Sequence, residues 1–300
     1  MILRATVFVL TLALLGFLNS PASFAQGQEE DVRGAFMTTR PKTAEKTAAN
    51  PTSRPIRRRP KPVATPNPTP DSVPAKPPEK AIDKKRPKVR TQRLGLGMTL
   101  FTRDSHGLAV RIDPAHEFRR GDLVRLLLET NANGYVYVFN TTDGGQPVLI
   151  YPDPQLDEGG NYIQAHVPFE LPSSVATEER LRWLAFDEHA GAEKVYVVFT
   201  REPLDGLPIE DALITFCKEK ASNCPLQPGA DLWAAVQKEL NAPVTVAKTK
   251  RFGKPQTSGE QQATTRGIGL SKQDPEPSLI MMTTTTNPAM LVATLDLIHK

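Results

Sequence analysis

The acidic residues Asp187, Glu188 and Glu193 lie close to His189 in the sequence. A carboxylate beside a histidine can transfer protons when a cleft shifts both pKa values toward neutrality. The surrounding sequence predicts a hairpin tip, and hairpin tips are normally solvated. We therefore interpret this group as solvated surface charge and predict no catalytic residue in it.

Four residues with side-chain oxygens follow Tyr151 in a segment rich in Pro and Gly: Asp153, Asp157, Glu158 and Asn161. Calcium accepts carboxylate and amide oxygens from flexible loops. The spacing of these four residues matches no known calcium-loop pattern, which favours a solvated acidic loop. We predict no metal ligand here.

Four familiar motifs of catalytic and nucleotide-binding sites do not occur in this sequence. It has no G-x-S-x-G, S-x-x-K, H-E-x-x-H or P-loop pattern. Its five histidines are scattered, and none has metal-ligand spacing from a cysteine. We predict a protein that is not an enzyme and that has no cofactor.

The two cysteines, Cys217 and Cys224, are separated by six residues. In an oxidising compartment such an isolated pair most often forms a disulfide, and closing this small loop stabilises a fold by about 2–3 kcal/mol. A pair of free buried thiols is the alternative interpretation. We predict a disulfide between Cys217 and Cys224.

The first 25 residues have the three parts of a secretory signal. Arg4 supplies a positive charge, residues 5–18 are uncharged, and the small residues Ser23 and Ala25 precede a cleavage point at Gln26. The apolar run is short for a bilayer span of about 20 residues. We predict an exported protein of the periplasm, cell envelope or extracellular space, with an uncleaved signal anchor as the alternative.

Residues 26–93 have the composition of a disordered, basic, Pro-rich tether. Between Thr38 and Arg93 the sequence has twelve Pro, sixteen Lys or Arg and four acidic residues, a net charge of +12. Its few apolar residues cannot bury enough surface to offset chain entropy. Two interpretations stay open, a plain spacer and an attachment to anionic surfaces.

Two basic clusters of the tether are candidate contact sites: Arg57, Arg58, Arg59 and Lys61, then Lys84, Lys85, Arg86 and Lys88. Such clusters attract anionic lipid head groups and acidic polymers. Export removes most nucleic acid from reach, and the clusters lack the interleaved aromatic residues that stack on bases. We predict no nucleic-acid partner.

From Leu94 the sequence changes to short alternating segments that are bounded by Asn, Asp and Gly, a pattern typical of antiparallel strands. In residues 135–140 apolar side chains occupy both faces, which predicts a central strand covered on both sides. Helical patterns follow at 209–220 and 231–240. We predict a mainly β, sandwich-like fold of antiparallel sheets with one or two peripheral helices.

The predicted domain boundaries follow from these patterns. The β-rich globular domain covers residues 94–244, and residues 245–288 are predicted to be a second disordered segment because they are rich in Thr, Lys, Gln and Ser without a period. Residues 289–300 regain strand alternation, which predicts a C-terminal strand that docks on the domain.

Several segments together resemble a known family: Gly121–Glu129, Asn133–Asn140, Asp143–Gly144, Leu149–Pro152 and Phe186–Glu188. They are similar to the exported bacterial family numbered 4384 among domains of unknown function, over about residues 94–204. This resemblance implies an accessory or sensory β-domain, and it supplies no catalytic residues.

These observations predict a non-enzymatic exported module of the cell envelope that binds an unknown envelope protein or glycan. The basic tether adds a possible contact with an anionic surface. The alternative is a periplasm-spanning protein that is anchored in the inner membrane and carries a C-terminal interaction domain. The mass of the mature chain distinguishes the two, because cleavage before Gln26 excludes the anchor.

Overall fold

The computed structural model describes residues 22–43, 92–153, 160–188, 190–219 and 226–300. Within them it has four α-helices, which are α1 (Ala22–Thr38), α2 (Glu210–Glu219), α3 (Ala230–Leu240) and α4 (Ser258–Arg266), and a 3-10 helix at Glu179–Arg182. The signal peptide predicted at residues 1–25 and the two basic clusters lie wholly or mainly outside the described residues.

Thirteen strands form the rest of the fold. They are β1 (Gly95–Arg103), β2 (Ala109–Arg111), β3 (Glu117–Phe118), β4 (Leu123–Thr130), β5 (Gly134–Thr142), β6 (Val148–Tyr151), β7 (Tyr162–Ile163), β8 (Phe169–Leu171), β9 (Leu184–Ala185), β10 (Gly191–Thr200), β11 (Val244–Lys248), β12 (Leu279–Thr283) and β13 (Met290–His299).

The strands form two sheets, and the mainly β, sandwich-like class is confirmed. The first sheet has the order β11-β12-β1-β4-β8, with β2 beside β1 and β9 beside β4. The second has the order β3-β13-β10-β5-β6, with β7 beside β5. All pairs are antiparallel except β3 with β13, which are parallel. The helices number four rather than one or two, because two of them lie in segments predicted to be disordered.

The core lies between the two sheets and is formed by one face of each. In β4, Leu126 and Leu128 point into this core, and in β5, Val136 and Val138 do the same. The other face of β5 carries Tyr135, Tyr137 and Phe139, which pack under α2 and α3 against residues such as Leu213 and Val236. Because other elements cover each face of β5, both of its faces are apolar.

The first correction concerns the tether predicted at 26–93. Residues 22–43, here called the N-terminal arm, begin with α1, which packs on the outer face of β11 and β12. Val32 and Phe36 are fully buried there against Ala247, Ile280 and Met282. A helix with two large apolar residues four positions apart has enough of an apolar stripe to dock on a sheet.

The second correction concerns residues 245–288. They contain most of β11, all of α4 and all of β12. β12 pairs with β1 and with β11 in register, so this segment provides two of the strands of the first sheet. Helix α4 begins with a capping box in which Thr257 and Glu260 bond to each other's backbone N–H groups. The globular unit thus extends past 244, and β13 pairs with β10 over ten residue pairs.

Candidate functional site

The acid–histidine group does not lie at a hairpin tip, because β9 pairs with β4 in the first sheet and β10 pairs with β5 in the second. Glu188 lies 3.7 Å from Arg120 in an exposed ion pair. Glu193 accepts hydrogen bonds from Asn140 at 2.5 Å and Thr142 at 3.0 Å, on the neighbouring strand β5. His189 lies outside the described residues. Glu188 and Glu193 therefore have different partners.

The residues weighed as calcium ligands are also only partly described. Asp157 and Glu158 lie outside the described residues. Asn161 is buried, and its side-chain nitrogen donates a hydrogen bond to the carbonyl of Val136 at 3.1 Å. Over the described ranges, no group of three or more His, Cys, Asp or Glu side chains has the arrangement of a metal site.

Of the two cysteines, Cys217 lies near the C-terminal end of α2 and is half-buried. Cys224 lies outside the described residues, so the disulfide stays a prediction. The basic clusters at 57–61 and 84–88 stay predictions for the same reason.

A layer of charged residues that the sequence does not reveal lies on the outer face of the first sheet, beneath α4 and the N-terminal arm. We call it the buried ionic layer, and it consists of Arg40, Arg111, Arg125, Glu129, His166, Glu170 and Glu260. Each of these residues is at most 5% exposed. Arg125 and Glu129 come from β4, Arg111 from β2 and Glu170 from β8, while α4 and the N-terminal arm cover them.

The alternation of β4 explains how these charges reach the outer face. Leu126 and Leu128 face the core, so Arg125, Leu127 and Glu129 must face the other way. Across the sheet, Leu127 is paired with Glu170, and Gly97 is paired with Glu129. The strands therefore place two acids and an arginine on a face that would be solvated if α4 and the arm did not cover it.

Arg40 has the most complete set of contacts in the layer. Its Nε and Nη2 donate to Glu129 Oε1 and Oε2 at 2.8 and 2.6 Å. Its other N–H groups donate to the carbonyls of Ser271, Asp274 and Pro275 at 3.0–3.1 Å. A guanidinium has five N–H donors, and all five are used here. Arg40 therefore fixes the end of the arm to β4 and to the segment that precedes β12.

His166 connects the same carboxylate to the arm. Its Nδ1 lies 2.7 Å from Glu129 Oε1, and its Nε2 lies 2.8 Å from the Thr39 hydroxyl. The imidazole also meets the ring of Phe36 edge to face at 5.5 Å. Glu129 thus has partners on the arm and on the loop that follows β7.

A second pair, Arg111 and Glu260, joins β2 to α4, and a third, Arg125 and Glu170, joins β4 to β8 at 3.9 Å. Glu170 Oε1 also accepts a hydrogen bond from Gln256 at 2.6 Å.

The two tryptophans are packing residues. The Arg125 guanidinium lies 4.0 Å over the Trp183 ring. Trp233, on α3, contacts Phe139 and Tyr196.

The pKa values of the carboxyl groups of Glu129 and Glu260 are shifted in opposite directions. Burial opposes ionisation of Glu129, but hydrogen bonds from His166 and Arg40 outweigh it and hold its pKa below the ordinary value. Burial raises the pKa of Glu260, and the charge of Arg111 offsets this only in part.

The described part of the buried ionic layer encloses little open space. The cavity between Arg40, Thr99, Glu129, Glu260 and Pro277 has a volume of about 10 Å³. A single water needs about that much space, so this cavity is too small for a larger molecule. The arrangement can hold the arm in place.

A second feature lies on the opposite side of the first sheet, between β12 and β13. A cavity of about 180 Å³ opens there, lined by Glu239, Val244, Thr283, Thr285, Met290 and Val292. Val244 and the neighbouring apolar side chains of Val246 and Met281 pack against the core but are only half-buried. We call this region, together with the adjacent edge of β13, the open side.

Among the described residues, no helix combines the length and apolar character needed to cross a membrane.

No curated protein and no solved structure matches the chain. A family model does match, over residues 117–203, which run from β3 to just past β10 and include β4 and β5. The strands β1, β12 and β13 and the N-terminal arm lie outside that match. Residues 117–203 of this chain are thus similar to the domain of unknown function DUF4384, the family indicated by the resemblance of its strands.

Proposed function

We propose that this chain is an exported, non-enzymatic module of the cell envelope that binds an envelope protein or glycan through the open side. The proposal rests on one observation, that in the described part of the chain a ligand can reach the open side but not the ionisable groups of the buried ionic layer. The ionisable groups of the buried ionic layer are enclosed and used in ion pairs. The open side is accessible, and its lining is apolar and hydroxyl-bearing, with Glu239 as the ionisable residue among those that line the cavity.

Such a lining suits binding better than reaction. Apolar floors with a few polar groups orient a ligand, whereas acid–base or nucleophilic chemistry needs at least two convergent reactive groups. The leader sequence of residues 1–25 supports export, and the basic clusters of residues 57–61 and 84–88 support a further contact with an anionic surface.

The alternative, a protein that spans the periplasm from a retained anchor, fits the docked arm less well. In that layout residues 26–93 would separate the anchor from the domain. Because α1 packs directly on β11 and β12, a retained anchor would instead place the domain next to the membrane. The observations therefore favour the first function.

A crosslinking experiment in the exporting cell tests the proposal. The full chain is expressed with a photoreactive residue in place of Thr285, at the open side, or in place of Thr265, which is exposed on α4. We expect the mass of the mature chain to correspond to a start at Gln26. We also expect a crosslinked envelope component from position 285 and none from position 265. A chain retained in the cytoplasm with its leader, or equal products from both positions, would overturn the proposal.

A further inference from the structure

We infer that the free edge of β13 binds one extended strand of a partner protein, with alternating apolar side chains and a Lys or Arg where it meets Glu239. This inference rests on the proposed binding function and names the class of partner. The added strand would extend the second sheet by main-chain hydrogen bonds, a recognised mode of peptide binding.

The first argument is the backbone of β13. One edge of this strand pairs with β10 along its whole length, from Met290 to His299. The other edge pairs with β3 only at Ile298 and His299. Over residues 290–297 the described chain gives that edge no strand partner, which leaves a row of backbone donors and acceptors available.

The direction of these groups follows from one hydrogen bond. Lys300 N donates to the carbonyl of Phe118 in β3, at 2.9 Å. Residues of the same parity along a strand direct their N–H and C=O groups to the same edge. The N–H groups of Val292, Thr294 and Asp296 therefore point to the free edge, and no backbone acceptor among the described residues meets them.

The second argument is the apolar floor opposite that edge. β13 contacts both β1 and β12, and the first sheet continues past β12 to β11. The side chains of Val244, Val246 and Met281 point toward the second sheet but are only half-buried. A strand beside β13 would lie over them, and every second side chain of that strand would pack on this floor.

The third argument is charge. Glu239 lines the cavity at the start of β13 and has no ion-pair partner within 4.0 Å in the part of the chain that the structure describes. Asp296, toward the other end of the free edge, is already paired with Lys194 at 3.3 Å. A basic side chain on the incoming strand would therefore complement the charge of Glu239. This requirement places a Lys or Arg at one end of the partner strand and sets the direction in which the strand lies.

Amide exchange on the full mature chain tests this inference directly. The probe is a peptide of about nine residues with alternating Val and Thr and a Lys at one end, matched to the length of the free edge. We expect it to slow exchange at Val292, Thr294 and Asp296 by at least about tenfold, and to leave Leu295, which faces β10, unchanged. A copy of the peptide with N-methylated alternate residues, which lacks the donors, should have no effect.

Three results would overturn the inference. One is exchange at these amides that stays fast with saturating peptide. Another is exchange that is already slow in the free chain at every concentration, which would mean that the chain covers its own edge. The last is slowing that depends on protein concentration, which would assign the edge to a second copy. If a crosslink from position 285 still forms in any of these cases, the binding function stands and the extended strand does not.

Two variants check the assignment without relying on loss of the fold. Thr294→Pro removes a donor that points away from β10, and proline is tolerated on a free strand edge. We expect it to weaken peptide binding at least about tenfold, while Thr294→Ala, which keeps the N–H, leaves binding unchanged. Glu239→Gln should weaken binding of the Lys peptide but not of a peptide with Thr in that place. Should Thr294→Pro unfold the chain, the Glu239→Gln comparison decides.

Discussion

Arg40 and Glu129 are 89 positions apart in the sequence, and their buried side chains form two parallel hydrogen bonds of 2.8 and 2.6 Å. This pair joins the N-terminal arm to the central strand β4. It makes residues 22–43 a part of the folded unit rather than the beginning of a tether.

Replacing Arg40 should release the arm. Arg40→Gln removes the charge that Glu129 requires and leaves a buried carboxylate without its main partner, which costs about 3–5 kcal/mol of unfolding free energy. Urea unfolding measures the loss, and limited proteolysis should then cut within α1. The control is Arg33→Gln, since Arg33 and Glu276 form a partly exposed pair that contributes at most about 1 kcal/mol. Equal losses in both variants would contradict the role of Arg40.

The opposite pKa shifts of Glu129 and Glu260 predict opposite pH effects of two matched variants. The folded-state pKa of Glu129 is depressed, so its contribution is present above the ordinary glutamate pKa of about 4.3 and is lost as the pH falls through the folded-state value. The destabilisation caused by Glu129→Gln should therefore grow as the pH rises from about 3 to about 7.

Glu260 behaves in the reverse sense. Its folded-state pKa is raised, so the folded chain holds this proton more tightly than the unfolded chain does, and stability falls as the pH rises above about 4.3 through the raised value. The destabilisation caused by Glu260→Gln should shrink over that range. Urea midpoints of both variants and the wild type across the pH series measure this, and parallel curves for the two variants would refute the assignment.

Two glycines give a packing test of the arm. A Cβ at Gly97 would lie 2.4 Å from Pro277 Cγ and 3.2 Å from Phe36 Cζ, between the arm and the segment before β12. Gly97→Ala should therefore cost about 1–3 kcal/mol of stability. A Cβ at Gly34 in α1 would have no atom within 4 Å, so Gly34→Ala should stabilise the fold by about 0.5–1 kcal/mol. Thermal or urea unfolding measures both, and a neutral Gly97→Ala would argue against the close packing of Pro277 and Phe36 over Gly97.

The strands of the core were predictable because their apolar residues alternate. In β5 and β10 both faces are apolar, and both are buried in the structure, one against the first sheet and one against α2 and α3. Local patterns of this kind reflect local burial, so sequence alone reveals them. The mainly β class followed from them.

The buried ionic layer was not predictable in the same way. Arg125 and Glu129 occupy the alternate positions of β4 that would carry polar residues on a solvated face. The segments that cover them, residues 39–41 and 256–278, are mostly polar and have no apolar period. Their burial comes from hydrogen bonds between residues far apart in the sequence, such as those of Arg40 and Gln256, and periodicity does not report these.

The arm did carry a signal, though a short one. Val32 and Phe36 have helical spacing, and both are fully buried. They stand between a leader and a Pro-rich segment whose basic composition predicts disorder over residues 26–93. Two apolar residues are too few to indicate a docked helix without knowledge of the surface formed by Ala247, Ile280 and Met282.

A double-mutant cycle between Arg40 and Glu129 tests the central claim most directly. The unfolding free energies of the wild type, Arg40→Gln, Glu129→Gln and the double variant give the coupling between the two side chains. If their pair fixes the arm to β4, the double variant should be less destabilised than the sum of the single variants, by about 1.5–3 kcal/mol. Additive losses would contradict the account, because they would mean that the two residues act independently.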